Sequence, residues 1–433
     1  GAAAILTDAE GAAAVAADPA ARDLPVVVTD APRPDLARVS AELYGHPARS
    51  FTTLGVTGTQ GKTTATYLAE AAAGQPSAVV GTIGTRIAGR AVASSLTTPE
   101  APRLQELFAV MREAGVRTCA MEVSSHALVQ HRVDGFVFDT GVFLNLGRDH
   151  LDFHRDLDDY FAAKARLFTP EHARRAVVNA DDEHGRRLID NASEVPVVTF
   201  SAEGRAADWR AMNIRAHRLG SRFDVVGPDG RSAEATVPLP GAFNVSNALA
   251  ALAALASTGR DLDALVAGLA SSPGVPGRME QVDAGQDFGV VVDYAHKPDA
   301  VTAVLRALRP VTAGRLVIVL GAGGDRDAGK RPLMGAAAAE LADLVVVTDD
   351  NPRGEDPSAI RRQVLVGARG AGAAEVVEVG DRAEAIAHAI SSARRGDTVV
   401  IAGKGHETGQ QVGSVVHPFD DREVARRLLG EFR

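Results

Sequence analysis

Short apolar runs recur along this chain. Each ends in glycine, hydroxyl or charged residues, and each is followed by text with helical spacing. The stretch LGVTGTQGKTTATY, residues 54–67, passes from an apolar run through a glycine turn into a helix. Residues 78–84, 118–126 and 136–146 are further runs of this kind, the second carrying Glu122 near its end. Pro273, Pro276 and Gly277 mark a boundary, after which the pattern returns at 289–293, 316–321, 344–348 and 398–402. Strands that alternate with helices predict an α/β chain with doubly wound, mostly parallel sheets, whose ligands gather at the C-terminal strand ends. Strand text around 222–226 precedes a Gly-Pro-Asp-Gly turn, and a long alanine-leucine helix spans 241–257. Residues 1–50 give two short αβ pieces, with a strand at 25–30 and a helix from Arg33 to near Tyr44. Because the sequence opens at Gly1, they are expected to be the end of a small domain whose beginning is absent. The predicted division is therefore 1–50, 51–275 and 276–433.

Composition narrows this picture. The 433 residues hold only 4% aromatics, which suits layered α/β packing, and the formal charge of −9 argues against a nucleic-acid backbone as partner. No apolar run approaches the roughly 18 residues of a membrane span, and no signal peptide is visible. A single cysteine, Cys119, excludes a disulfide framework. The expectation is a cytoplasmic protein. Only five of the 46 basic residues are lysines: Lys62, Lys164, Lys297, Lys330 and Lys404. Arginine meets the ordinary surface needs, so each retained lysine marks a position where guanidinium does not serve.

The glycine turn at 58–61 has the grammar of a phosphate loop: bare N–H groups and a helix N-terminus face an anion, finished by Lys62 and a hydroxyl. The general pattern wants glycine where Val56 stands, so this is a variant, GTxGKTT. Glu122 is placed to hold magnesium beside the loop, unless it is a buried acid satisfied by backbone. Asp149, His150, Asp152 and His154 have the density of a metal or phosphate site. Lys164 lies among apolar neighbours on a helix over 160–168, where a snorkelling surface lysine is the alternative. Asn244 and Asn247 share one helix face, and capping would explain one of them but not both. Near the later strand ends, Arg353 suits a carboxylate and Glu407 an ammonium. Residues 95–100 form a hydroxyl-rich turn whose Pro99 is expected to start the next helix.

Taken together, GTxGKTT, EVSSHAL, NLxRDHLDFH, the AAK helix, FNxSN, GRME, DYAHxPD, GGDRDxGKRP, DNPRxE and GKGHE resemble the Mur ligases, over residues 51 to 408. The resemblance implies three domains: the remainder of a UDP-binding domain at 1–50, a central ATPase at 51–275 and a Rossmann-like amino-acid-binding domain at 276–433. It implies ATP-dependent amide-bond formation in peptidoglycan precursor synthesis, through an acyl phosphate. ATP would meet Gly58, Thr59, Gly61, Lys62, Thr63, Thr64, Asn244, Asn247, Arg278, Asp293 and His296. Lys62, Glu122, His150 and Lys164 would be catalytic. Two Mg2+ ions would be held by Thr63 and Glu122, and by His150 with Lys164 as N6-carboxylysine. Thr97, Thr98, Ser124, Gln130 and Arg132 would contact UDP-N-acetylmuramoyl-L-alanyl-D-glutamate. Arg326, Asn351, Pro352, Arg353, Gly403 and Glu407 would read diaminopimelate, and the protein would be a monomer. Gln60, Gly147, Leu96 and Lys297 depart from the family pattern, and Leu96 bears on one substrate contact. A lysine-adding Mur enzyme, a folylpolyglutamate synthetase and a P-loop ATPase without ligase activity stay as alternatives.

Overall fold

The apolar runs fold as strands buried on both faces, which is why they carry almost no alternation. The computed structural model describes all residues except Gly1, Ala2, Arg22, Ser95, Ala192, Ser193, Phe432 and Arg433. The chain's opening residue and Ser95 of the hydroxyl-rich turn thus lie outside the described residues. Two compact units emerge. The first comprises Gly1–Asn213, Phe223–Ala235 and Ser246–Ser272; the second comprises Ile214–Arg222, Thr236–Val245 and Pro273–Arg433.

Strands β1 (Ile5–Thr7) and β2 (Val26–Val28) pair in parallel, joined through helix α1 (Ala9–Ala17) and followed by α2 (Pro32–Leu43). Next come β3 (Thr52–Thr57), α3 (Lys62–Ala73), β4 (Ser77–Gly81), β5 (Gly84–Ile87), β6 (Arg90–Val92), α4 (Ala101–Glu113), β7 (Thr118–Glu122) and α5 (Ser125–Val129). The chain continues through β8 (Thr140–Phe143), α6 (Leu157–Ala165), β9 (Ala176–Asn179), α7 (Glu183–Asp190) and β10 (Val197–Ser201) to β11 (Trp209–His217), β12 (Gly220–Val226) and β13 (Ser232–Val237). Helices α8 (Ala242–Ala256) and α9 (Leu262–Ala270) follow. Among the described residues one sheet has the order β13-β12-β11-β10-β9-β8-β3-β7-β4-β5-β6. The phosphate-loop strand β3 lies in its middle, parallel to β7 and β8. The C-terminal ends of β3 and β7 therefore open on the same edge. Beneath them, Phe51, Phe108, Phe138, Phe143 and Phe168 belong to one buried cluster.

The second unit is a smaller sheet with helices. It contains β14 (Glu280–Gln281), β15 (Gly289–Asp293), α10 (Pro298–Leu308), β16 (Leu316–Leu320), α11 (Lys330–Leu341), β17 (Leu344–Val347), α12 (Pro357–Gly370), β18 (Glu375–Glu378), α13 (Arg382–Ser392) and β19 (Thr398–Ala402). A hairpin of β20 (Gly409–Val412) and β21 (Val415–Pro418) precedes α14 (Asp421–Glu431). The order β14-β15-β19-β16-β17-β18 puts β19, last in sequence, between β15 and β16. All four predicted strand ends of this unit thus lie side by side.

Several boundaries differ from the sequence reading. The run 78–84 is two strands, because the chain turns after Gly81 and β5 returns antiparallel. The run 136–146 shortens to β8, since Asp139 turns its carboxylate to the Thr53 N–H and hydroxyl. Its earlier part joins the sheet only through a single bridge, Phe138 to Ala173. Pro99 does not start α4; Glu100 is its N-cap and Pro102 lies in its first turn.

One ion pair underpins the second unit. Arg382 and Asp421 are both fully buried and form a two-pronged bond at 2.7 Å on each side. Arg382 also donates to the carbonyls of Asp349, just after β17, and Ala402, at the end of β19, two strands separated by β16. Removing either partner leaves an unpaired buried charge, which costs about 3–5 kcal/mol. Arg382→Ala or Asp421→Ala should therefore lower the denaturation midpoint by that equivalent. Arg382→Met combined with Asp421→Leu should recover most of it.

Candidate active site

Strand β3 keeps Val56 in the ladder, bonded through its carbonyl to the N–H of Val123, so the loop begins only after Thr57. Gly61 closes it in a left-handed conformation at φ 85°, as the N-cap of α3. A Cβ here would also collide with the Asn247 side chain, so glycine is needed twice over. Asn145, from the segment after β8, clamps the loop. Its side-chain oxygen accepts the Gln60 N–H at 2.9 Å, and its NH2 donates to the Gln60 carbonyl at 3.1 Å. The Thr59 N–H donates to the Asn145 carbonyl. Gln60 is thus held through its backbone N–H and carbonyl, whatever its side chain.

Two lysines converge on this loop. The Lys62 amine donates to the carbonyl of Gly58 at 2.8 Å and of Thr59 at 3.2 Å. Lys164 reaches the same Gly58 carbonyl at 3.0 Å, and the Thr57 hydroxyl at 3.4 Å. Lys164 is only 1% exposed, so it is a buried amine and not a snorkelling one. It lies 4.6 Å from the centre of the Tyr160 ring. Burial pushes its pKa well below the ordinary lysine value, the Lys62 charge pushes it further, and Asp149 opposes both. Tyr160 bonds the Thr59 hydroxyl at 3.3 Å, and burial raises its pKa to about 12.

Glu122 is buried at the end of β7. One carboxylate oxygen accepts the Thr63 hydroxyl at 2.9 Å and the Thr82 N–H at 2.8 Å; the other accepts the Thr82 hydroxyl at 3.1 Å. The acid is thus satisfied, partly by backbone, and it is satisfied by the threonine that follows Lys62. A Cβ at Gly81 would overlap the carboxylate, so that glycine clears its place. From Thr82 the contacts run on to the predicted substrate residues. The Thr82 and Thr97 hydroxyls are 3.1 Å apart. Thr98 donates from its hydroxyl to the Glu122 carbonyl and accepts the Ser124 N–H. Arg132 donates to the Thr98 carbonyl and to the Gln130 side chain.

His150 adopts a left-handed φ of 53°, a strain of about 1–2 kcal/mol for a non-glycine residue. Its ring lies 5.9 Å from that of Tyr160 and 4.9 Å from that of His126. Lys164 and His150 therefore flank the same tyrosine. His154 faces the same tyrosine at 4.9 Å between ring centres, and its nitrogens meet the Ser125 hydroxyl and Asp159. Asp149 turns to the His150 backbone N–H. Among the described residues no three His, Cys, Asp or Glu side chains gather as a metal cluster. The density read along residues 149–154 becomes a ring cluster: His150 and His154 both lie beside His126 and Tyr160, with Asp149 3.5 Å from the His150 imidazole.

In the second unit, Asp293 accepts the N–H groups of Met279 and Ala295, and burial raises its pKa while Arg278 opposes the shift. Arg278 covers the Tyr294 ring at 4.3 Å. His296 bonds the Tyr294 carbonyl and accepts Lys330 on its own carbonyl. Asn351 donates to Glu407 at 2.9 Å. Arg353, at φ 51°, donates to the Gly324 carbonyl at 2.7 Å. Pro352 packs its carbonyl against Gly324, Gly403 donates to the Asp293 carbonyl, and Arg326 is exposed. Asn244 donates to the Pro240 carbonyl one turn back, closing the helix start, whereas Asn247 lies against Gly61 in the first unit. Thr64 is buried in the first turn of α3. Sequence reasoning missed Thr82, Asn145 and Tyr160. Each stood inside a quoted stretch, but its importance comes from a partner remote in sequence.

Residues 56–255 match the Mur ligase middle domain and residues 277–405 match the Mur ligase glutamate ligase domain. The chain belongs to the Mur ligase family. It is 54% identical, over 99% of its length and 85% of the relative's, to UDP-N-acetylmuramoyl-L-alanyl-D-glutamate--2,6-diaminopimelate ligase of Streptomyces avermitilis. It is 50% identical to the Corynebacterium glutamicum protein of the same name, covering 99% and 84%. A solved structure of a ligase with that name superposes with a TM-score of 0.69 at 36% identity, over 94% of this chain and 84% of the other.

His406 offers a direct check on the second unit's electrostatics. Burial, then the charges of Arg278 and Arg422, hold its pKa at about 4, below the ordinary 6.5. Between those two values the unfolded chain binds a proton that the folded chain refuses, so stability should fall as pH drops through that window. Imidazole NMR titration should place the His406 midpoint near the lower value, and His406→Phe should flatten the acid side of the stability profile.

Proposed function

We propose that the chain is an ATP-dependent ligase, a monomer of the cytoplasm, that joins diaminopimelate to the glutamate of UDP-N-acetylmuramoyl-L-alanyl-D-glutamate. The names of the relatives support the substrates. Among the described residues no helix is long and apolar enough to cross a membrane, which accords with the location. The observation that carries the chemistry is the buried Lys164 amine, sharing the Gly58 carbonyl with Lys62 at the phosphate loop.

In this reading the loop N–H groups of residues 58–64 and Lys62 hold the terminal phosphates of ATP. Thr63 and Glu122 fit one Mg2+, because they offer a hydroxyl and a carboxylate already within 2.9 Å of each other, and magnesium prefers oxygen ligands. Lys164 suits N6-carboxylation, because burial favours the neutral amine that reacts with carbon dioxide; the product, with His150, would serve a second ion. Bound magnesium would supply charge neutralisation between phosphate and carboxylate.

Thr97, Thr98, Ser124, Gln130 and Arg132 hold the nucleotide-linked dipeptide. Its glutamate carboxylate attacks the γ-phosphorus, ADP leaves, and an acyl phosphate results. The diaminopimelate amine then attacks the acyl carbon, and phosphate departs with the bonding pair. Asn244, Asn247, Arg278, Asp293 and His296 serve the nucleotide. Arg353 meets a carboxylate that lysine lacks, and Arg326, Asn351, Pro352, Gly403 and Glu407 complete that site.

Phosphate release should require ATP, the UDP-dipeptide and diaminopimelate together. Release without the amino acid or UDP substrate would overturn the ligase reading, and turnover with lysine alone would overturn the specificity. Lys164→Arg should lose activity by about 100-fold or more, since guanidinium stays charged and takes up no carbon dioxide. Lys164→Ala should regain part of it with added short-chain carboxylates, and bicarbonate should restore neither variant.

A further inference from the structure

Lys404 is fully buried beneath the strand ends of the second unit, yet it sits among polar groups. Its amine donates to the Asn351 side-chain oxygen at 3.0 Å and to Glu407 Oε2 at 3.3 Å, with Asp350 at 3.9 Å. Burial bars it from touching a ligand in the cleft. Its neighbours are less enclosed: the Glu407 side chain is 33% exposed.

The pattern around Asn351 has a consequence for direction. Its oxygen already accepts two donors, Lys404 and the Gln411 N–H at 2.9 Å from β20. An amide oxygen facing two donors cannot exchange places with its NH2 group. The NH2 is therefore forced toward Glu407, whose Oε2 it meets at 2.9 Å. Among the described residues the bonds to the Glu407 carboxylate both fall on Oε2, which turns Oε1 toward an incoming group. The same strand holds Arg353 in place: its N–H donates to the Gln411 carbonyl, and its carbonyl accepts the Gly413 N–H.

The geometry points to Lys404 as a positioning residue for the amino-acid substrate: it fixes the amide of Asn351 and half of the Glu407 carboxylate so that the remaining oxygen receives the substrate's ammonium. This rests on the ligase reading above. An arginine could not replace it, because the planar fork is larger than the space enclosing one amine.

Steady-state kinetics test it with all three substrates varied in turn. The wild-type enzyme is measured first: phosphate release that ignores diaminopimelate defeats the ligase reading itself and not the role of Lys404. Given that requirement, Lys404→Met should raise KM for diaminopimelate by about 10- to 100-fold, with KM for ATP and for the UDP-dipeptide changed less than about 2-fold. In an Asn351→Ala background the same substitution should add little further loss, because the amide it orients is gone. Equal KM values for diaminopimelate, a rise shared by all three substrates, or full additivity with Asn351→Ala would overturn the inference. Should Lys404→Met fail to fold, Lys404→Leu, which likewise offers Asn351 no donor, is judged by the same three outcomes; if neither folds, the residue is structural and the inference falls.

Discussion

The first unit depends on a lysine amine being taken out of water beside a second lysine. Lys164 gains one hydrogen bond to the Gly58 carbonyl, a longer one to the Thr57 hydroxyl and a tyrosine face, against full burial and a neighbouring positive charge. Burial and the Lys62 charge both disfavour the charged form of this amine, which lowers its pKa well below that of an ordinary lysine. The surrounding structure is arranged to keep it there. Tyr160 lies beneath it, Asn145 locks the loop whose carbonyl it uses, and α6 places it at the edge where β3 and β7 end.

A second theme is the continuity of contacts from that loop to the region after β4. Thr63, Glu122, Thr82 and Thr97 are linked hydroxyl to carboxylate to hydroxyl, and Thr98 and Arg132 extend the line through backbone carbonyls. Short side chains on strand ends make this possible. Thr97 and Thr98 are therefore tied to the same residue that meets the first turn of α3.

Much of this was legible in the sequence. The buried parallel strands announced themselves as unbroken apolar runs, and the loop by its glycine, lysine and threonine spacing. Strand β18 was hidden because its Glu375 and Glu378 flank only two apolar residues on an edge. The short β8 was hidden because Asp139 serves as a bonded turn acid inside apolar text. At the site, Glu122 and Lys164 could be singled out by residue type. Thr82 and Asn145 could not, since a threonine in a glycine turn and an asparagine after a strand are unremarkable until their partners are known. The gathering of His150 and His154 around Tyr160 and His126 likewise depends on a turn with a left-handed residue, which spacing along the chain does not record.

The scarcity of lysine gains a last meaning from where the five residues lie. Lys164 and Lys404 are buried, and Lys62, Lys297 and Lys330 are half-buried. The exposed basic surface of the described residues is thus carried by guanidinium groups, which hold their charge throughout the accessible alkaline range. Reagents that seek primary amines meet no fully exposed lysine among the described residues. Among the described residues, side-chain amine chemistry, whether by a cell's acylating metabolites or a chemist's cross-linker, is thereby confined to lysines that flank the glycine loop after β3 and the ends of the second unit's strands.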